Sequence, residues 1–305
     1  MRDAFIKTLS ELAERDSSIL LLTGDLGFGV LNEYRERFPN QFINAGVAEQ
    51  NMTALACGLA LDGYKTYTYS IGNFPTLRCL EHIRNDVCYH SANVTIVAVG
   101  GGFSYGQLGM SHFATEDLAI LRALPNMTVV APTDPWEAAR FTELLYHRSG
   151  PAYLRLDKAR SDQPEVAVDD FSIRQLRIGG DLVILGTGGL LGEAMQAAEL
   201  LATDGIETAV YAVPVVKPMD LEGLANAVLP DRPLITLEEH NTGGLGGAIA
   251  EACLRQGILP KPFLPLGLND TYPTIVGDQD FLRAEFGLTG PQIAATCRTT
   301  LSATR

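Results

Sequence analysis

Along this chain short apolar runs alternate with stretches whose apolar residues recur every three or four positions. SILLLTGD (18–25), YKTYTYSI (64–71), NVTIVAVG (93–100), MTVVAP (127–132) and AYLRLD (152–157) read as strands. The nearly unbroken apolar character of SILLLTGD suits a strand buried on both faces. Phe5, Ile6, Leu9 and Leu12 share one face of a helix predicted over 2–16. Further helices are predicted near 31–38, 75–90 and 115–124, and from DPWEAARF onward. Between the first two strands of the list lies FINAGVAEQNMTALACGLALDG (42–63). Phe42 and Ile43 lean to β structure, Ala45-Gly46 breaks the run, and a helix of small and apolar residues continues through Leu61. Glu49 falls in its first turn, facing the positive end of the helix dipole. By itself such a carboxylate is an ordinary dipole partner.

The alternation pauses at 159–178, which is polar and irregular, with Pro164 and the acidic pair Asp169-Asp170. It then resumes with strands DLVILGTG (181–188), ETAVYAVPVV (207–216) and PLITLEEH (233–240), interleaved with helices GEAMQAAELLA and LEGLANAV. GGLGGAIAEACL starts another helix from glycines, and a last helix is predicted over roughly 289–301. Strands alternating with helices give an α/β fold of two domains, each with a mainly parallel sheet flanked by helices. The expected division is 1–160, a linker over 161–178, and 179–305.

Composition narrows the function classes. With 46% hydrophobic and 19% charged residues, the 305-residue chain is globular in character and long enough for two real cores. A net charge of −13 argues against nucleic acid or an anionic membrane surface as partner. No apolar run approaches the roughly 18 residues that a membrane helix needs. The five cysteines are scattered and never form a CxxC pair, which fits reduced thiols in the cytoplasm better than a disulfide framework or zinc site. MRDAFIKTLSELAERD is amphipathic and does not read as a secretion signal.

In open parallel sheets ligands bind beyond the carboxyl ends of the strands. DLG after the first strand, GVAEQ after the second and the long glycine-rich loop GGFSYGQLGMSHFA (101–114) all fall there. Their wording carries a family likeness. Gly46-Val47-Ala48-Glu49-Gln50-Asn51-Met52 resembles the GIAEQ-type element of the transketolase and deoxyxylulose-phosphate synthase group. The resemblance continues through Arg78-Cys79-Leu80-Glu81-His82-Ile83-Arg84-Asn85, Gly106-Gln107-Leu108-Gly109-Met110-Ser111-His112 and Thr115-Glu116-Asp117-Leu118-Ala119. It ends in Ala131-Pro132-Thr133-Asp134 and, in the second half, Glu238-Glu239-His240. Together these cover nearly the whole chain in order.

The resemblance implies a pyrimidine-binding domain followed by a transketolase C-terminal domain. The family's GDG…N motif, which holds the metal and diphosphate of thiamine diphosphate, is missing: no GDG occurs in the chain. The chain thus resembles the C-terminal subunit of a split transketolase. Its N-terminal partner subunit would carry that motif with Mg2+ or Ca2+, in an α2β2 heterotetramer, and no metal would be bound here. By the same resemblance Glu49 is the carboxyl that hydrogen-bonds the distal pyrimidine nitrogen, so that the cofactor's own amino group becomes basic. Phe74 would stack on that ring, and Ile71 falls where a second aromatic is usual. Asp25 matches an element near the cofactor. His112 would lie beside the substrate, binding sugar hydroxyls or assisting proton transfer.

Three departures concern the substrate. Leu108 stands where ordinary transketolases carry an aspartate that reads a sugar hydroxyl. Gly100 and Gly101 stand where a histidine would contact the donor, and Lys158 falls roughly where a phosphate-contacting arginine lies. The expected activity is transfer of a two-carbon ketol unit from a ketose to an aldose, with sugar or sugar-phosphate substrates. The alternatives are the beta subunit of a 2-oxo acid dehydrogenase and a non-catalytic scaffold. Glu238, Glu239 and His240 read as strand-end residues only.

Overall fold

A computed structural model of the chain describes residues 1–158, 162–168 and 170–304. Positions 160 and 161, where the first domain is expected to pass into the linker, and Asp169 lie outside the described residues. The strands are β1 (Ile19–Thr23), β2 (Phe42–Asn44), β3 (Lys65–Ile71), β4 (Val94–Val99), β5 (Thr128–Val130) and β6 (Ala152–Leu156). They continue as β7 (Arg174–Arg177), β8 (Leu182–Gly186), β9 (Thr208–Ala212), β10 (Val215–Lys217), β11 (Leu234–Leu237) and β12 (Phe263–Leu266).

The first sheet has seven strands in the order β10-β5-β6-β4-β3-β1-β2. β1 to β6 run parallel, and β10 joins antiparallel to β5. β1 explains its own unbroken apolar sequence. Leu20 and Leu22 enter one core while Ile19 and Leu21 enter the core on the opposite face, as the two-residue period of a strand requires. The second sheet has the order β12-β11-β8-β9-β7, parallel except for β7. All five cysteines are free and buried. Among the described residues no helix is long and apolar enough to cross a membrane.

Four local features depart from the sequence expectations. ETAVYAVPVV, predicted as one strand, is two: the chain leaves the second sheet after β9 and enters the first as β10. Pro214 lies at the crossing, where it has no N–H to give to a ladder but accepts from Ala131 N at 2.7 Å. The expected linker ends in β7, a polar edge strand without the apolar alternation that would reveal it. β12 contains Pro265 and is likewise an edge, the place in a sheet where proline is tolerated. The helix predicted over 75–90 is a succession of turns: a tight turn Leu77–Cys79, one α-turn Leu80–His82 and a π-helical stretch Ile83–Cys88.

Candidate active site

Because β1, β2, β3 and β4 are parallel neighbours, the segments that leave them converge on one edge of the sheet. Glu49 opens the helix Glu49–Leu61 just beyond β2 and is 3% exposed. Gly24, just beyond β1, makes room for it: a Cβ there would stand 3.2 Å from Glu49 Cγ. Arg78 Nη1 donates to Glu49 Oε2 at 2.8 Å. The same guanidinium lies over the ring of Phe74, 4.5 Å from its centroid. Phe74 in turn meets His112 edge-on at 5.1 Å between ring centroids. Glu49, Phe74 and His112, predicted from three separate stretches, are therefore brought into one cluster, and Arg78 is the link. Arg78 opens the motif Arg78-Cys79-Leu80-Glu81-His82-Ile83-Arg84-Asn85, which by itself assigns it no role. The available signal was a lone cation four residues after a candidate aromatic platform.

Asp25 lies beside this cluster in a strained position. Its φ is +60°, in the left-handed region that a non-glycine residue seldom occupies. Asn44 holds it there, accepting from Asp25 N at 3.1 Å and donating Nδ2 to Asp25 Oδ1 at 2.9 Å. Asn44 Oδ1 also accepts from Gly46 N at 2.9 Å. This one side chain, at the end of β2, ties the DLG turn to the turn that leads into Glu49. It too was missed, being an unremarked polar residue in FINAG. Ile71 ends β3, half-buried, and its carbonyl accepts from Phe74 N at 2.9 Å, so it sets the turn that presents Phe74.

His112 is half-buried near Tyr105 at 6.4 Å, and its Nδ1 lies 2.9 Å from Ser111 Oγ. Burial lowers its pKa below the ordinary 6.5. Lys158 is exposed, with Nζ 3.8 Å from the Tyr105 ring centroid. It does not join the Glu49 cluster directly; Tyr105 stands between it and His112. Leu108 is 56% exposed and presents its side chain to solvent. Tyr105, Leu108 and Lys158 line a cleft of about 540 Å³ with Ser104 and Gln279. Gly100 has φ +99°, and any Cβ there would run into Tyr105; a Cβ on Gly101 would stand 2.6 Å from Arg155 Nε. A side chain at either position is thus excluded by its neighbours.

Comparison with known proteins identifies the two halves of the chain. The transketolase pyrimidine-binding domain matches residues 1–162, and the transketolase C-terminal domain matches 172–293. The chain belongs to the transketolase family. A putative transketolase C-terminal section of Methanocaldococcus jannaschii is 36% identical over 96% of this chain and 94% of its own length. A 6-deoxy-6-sulfo-D-fructose transketolase subunit of a Clostridium species is 35% identical, covering 96% and 92%. Among solved structures, a split-gene transketolase described as an inactive beta4 tetramer superposes with a TM-score of 0.88. It is 31% identical and covers 100% of this chain and 99% of its own. These relatives are transketolase sections and subunits, which supports the split-transketolase reading and not the 2-oxo acid dehydrogenase alternative.

The family depends on thiamine diphosphate, and the residues present fit the pyrimidine end of that group. A carboxylate that is almost wholly buried, at the mouth of the sheet, has a half-exposed aromatic face close by, spanned by one guanidinium. Among the described residues no group of three or more His, Cys, Asp or Glu side chains is placed to hold a metal.

Proposed function

We propose that this chain is the pyrimidine-binding subunit of a two-chain transketolase-type enzyme that moves a two-carbon ketol unit from a ketose to an aldose. The observation that carries the reading is the linked cluster of Glu49, Arg78, Phe74 and His112 at the carboxyl ends of parallel strands. Thiamine diphosphate, when bound, supplies the carbanion chemistry. Glu49 would hold the distal pyrimidine nitrogen through its buried carboxyl. Phe74 would present a flat apolar face to the ring, with Ile71 shaping the turn beneath it, and Asp25 would border the same region. His112, neutral at physiological pH, would accept or donate a proton at a substrate hydroxyl through the ring nitrogen not engaged by Ser111.

The diphosphate and its Mg2+ or Ca2+ would be held by an N-terminal partner subunit carrying the GDG…N motif. Activity would then require an assembly, α2β2 in its simplest form, in the cytoplasm. Leu108 and Lys158 would face the substrate. An aliphatic Leu108 cannot accept a hydrogen bond from a sugar hydroxyl, so the substrate would differ from the common pentose phosphates. The names of the relatives, one of them a sulfo-sugar transketolase subunit, support that direction.

The test is calorimetry of thiamine diphosphate with magnesium against the chain alone and against the chain co-purified with its partner. Binding only in the pair, weakened or functionally silenced by Glu49→Gln, is the expected result. A complex that forms yet binds no cofactor would leave only the scaffold alternative.

A further inference from the structure

The loop that carries His112 is held from the second domain. Residues 100–116 connect β4 to the helix Asp117–Ala123. Gly102 and Ala114 exchange backbone hydrogen bonds, Gly102 N to Ala114 O at 2.9 Å and Ala114 N to Gly102 O at 3.1 Å. The excursion 103–113 is therefore closed at its neck. Inside it Phe103 and Phe113 are fully buried against each other, and the rest of their small core comes from the second domain: Leu268, Leu282 and Phe286. The loop has little apolar interior of its own.

The polar side of the contact centres on Glu239, just beyond β11. Its Oε2 accepts from Phe103 N at 2.9 Å. Arg283 Nε donates to its Oε1, and Gln279 Nε2 bridges it to Asp157, at 2.9 Å and 3.1 Å respectively. Asp157 also accepts from Ser104 Oγ at 2.7 Å. Arg155 Nη2 donates both to Ala114 O, at the neck, and to Glu239 O. All of these charges are buried, where an unmatched one costs far more than in water. The network therefore ties the loop backbone to buried charges of the second domain, with Arg283 Nη2 left without a hydrogen bond of its own. The glycines record how close the approach is. A Cβ on Gly102 would stand 2.6 Å from that of Glu239, and Gly106 lies against Leu282 and Gly277 O.

We infer that Glu239 is a positioning residue for His112. The C-terminal domain sets the geometry of the substrate side of the site through the 103–113 loop, besides lining the Lys158 cleft with Gln279. This rests on the reading of His112 as a substrate-side group.

The test uses the full chain with 13C-labelled histidine, comparing wild type, Glu239→Ala and Glu239→Gln. In Glu239→Ala, amide exchange over 103–113 should rise about tenfold or more relative to β3 and β4, the loss expected for a charge-assisted hydrogen bond. The His112 imidazole resonance should shift, while those of His82, His90 and His147 stay in place. Glu239→Gln can still accept from Phe103 N but sets an amide N–H2 against Arg283 Nε and Gln279 Nε2 and removes the closest countercharge of the buried guanidinium, so its loop exchange should rise too. Should Glu239→Ala fail to fold, Gln279→Ala, which removes only the bridge, should show the same local loosening. Unchanged loop exchange and an unmoved His112 resonance overturn the inference, as does loosening that spreads equally to β3 and β4. In the assembled enzyme, Glu239→Ala should lower kcat/KM while thiamine diphosphate affinity stays within about twofold. A wild-type complex that binds no cofactor defeats the functional reading and leaves the loop measurements standing.

Discussion

Arg78 joins Glu49 and Phe74 in a single contact: its guanidinium donates to the buried carboxylate at 2.8 Å and lies 4.5 Å from the ring centroid. Glu49 is 3% exposed but Arg78 is 46% exposed, so this is a half-solvated pair with one end sunk in protein. Its strength falls between that of a surface ion pair and that of a buried one. A double-mutant cycle of Arg78→Met and Glu49→Ala, read by chemical denaturation, should give a coupling of about 1–2 kcal/mol. A coupling near zero would mean that the contact only fills space.

Glu49→Gln on its own separates chemistry from folding. The glutamine keeps an oxygen for Arg78, so the melting temperature of the chain should move by no more than about 3 °C. In the assembled enzyme the turnover number should fall by about 100-fold or more, the usual scale for losing an acid–base group. A variant that keeps wild-type turnover would remove Glu49 from the mechanism.

Gly102→Ala probes the interdomain contact from the other side. The residue has φ +57°, and the added methyl would meet Glu239. Left-handed strain and overpacking together should cost about 2–4 kcal/mol. Urea unfolding measures it. Gly29→Ala is the control for strain alone, since Gly29 has φ +77° and nothing within 4 Å of the added carbon. Equal losses at the two positions would show that Glu239 is not pressing on Gly102.

Two groups contribute at opposite ends of the acid stability profile. The Asp16 carboxyl is held down to about 2, first by the Ser18 hydroxyl and then by the Ser18 amide, Tyr146 and Lys65. A carboxyl lowered in the folded state contributes stability that is complete above its ordinary 3.8 and is lost as pH falls toward 2. Asp16→Asn should therefore lower the melting temperature at pH 5 and converge with wild type near pH 2. His112, lowered by burial, acts in a higher window. Below its ordinary 6.5 the unfolded chain takes up a proton before the folded chain does, so stability drops on acidification there. His112→Gln should flatten the profile just below pH 6.5; a profile unchanged in that window would refute the burial of the imidazole.

Leu108→Asp should alter selectivity and not folding, because Leu108 is 56% exposed at the rim of the Lys158 cleft. The assembled wild-type enzyme is expected to use xylulose 5-phosphate and ribose 5-phosphate poorly. Restoring an acceptor should improve their kcat/KM by about tenfold, the scale of one polar contact to a substrate hydroxyl. Ordinary transketolase efficiency in the wild type would end the case for an unusual sugar.

Much of this molecule was legible before any coordinates. Continuous apolar runs predicted strands buried on both faces, and β1 shows why: consecutive leucines feed two cores. The break at Ala45-Gly46 placed Glu49 at a helix start beyond a strand, because glycine ends one backbone geometry and frees the next. Glu49, Phe74 and His112, which the fold brings into one cluster, could be named as candidates because the family resemblance rests on short local motifs.

What the chain alone left open depended on partners distant in sequence. Arg78 has meaning only once Glu49 lies across from it, 29 residues away. Asn44 became visible only when the DLG turn folded against it. Pro214 marks a crossing between sheets because both sheets exist to receive the chain. Glu239, read as a strand end, is 136 residues from the amide it accepts from. Periodicity and turn chemistry are written in neighbouring residues and survive in one dimension. Which buried charge answers which backbone amide is decided by close packing in three.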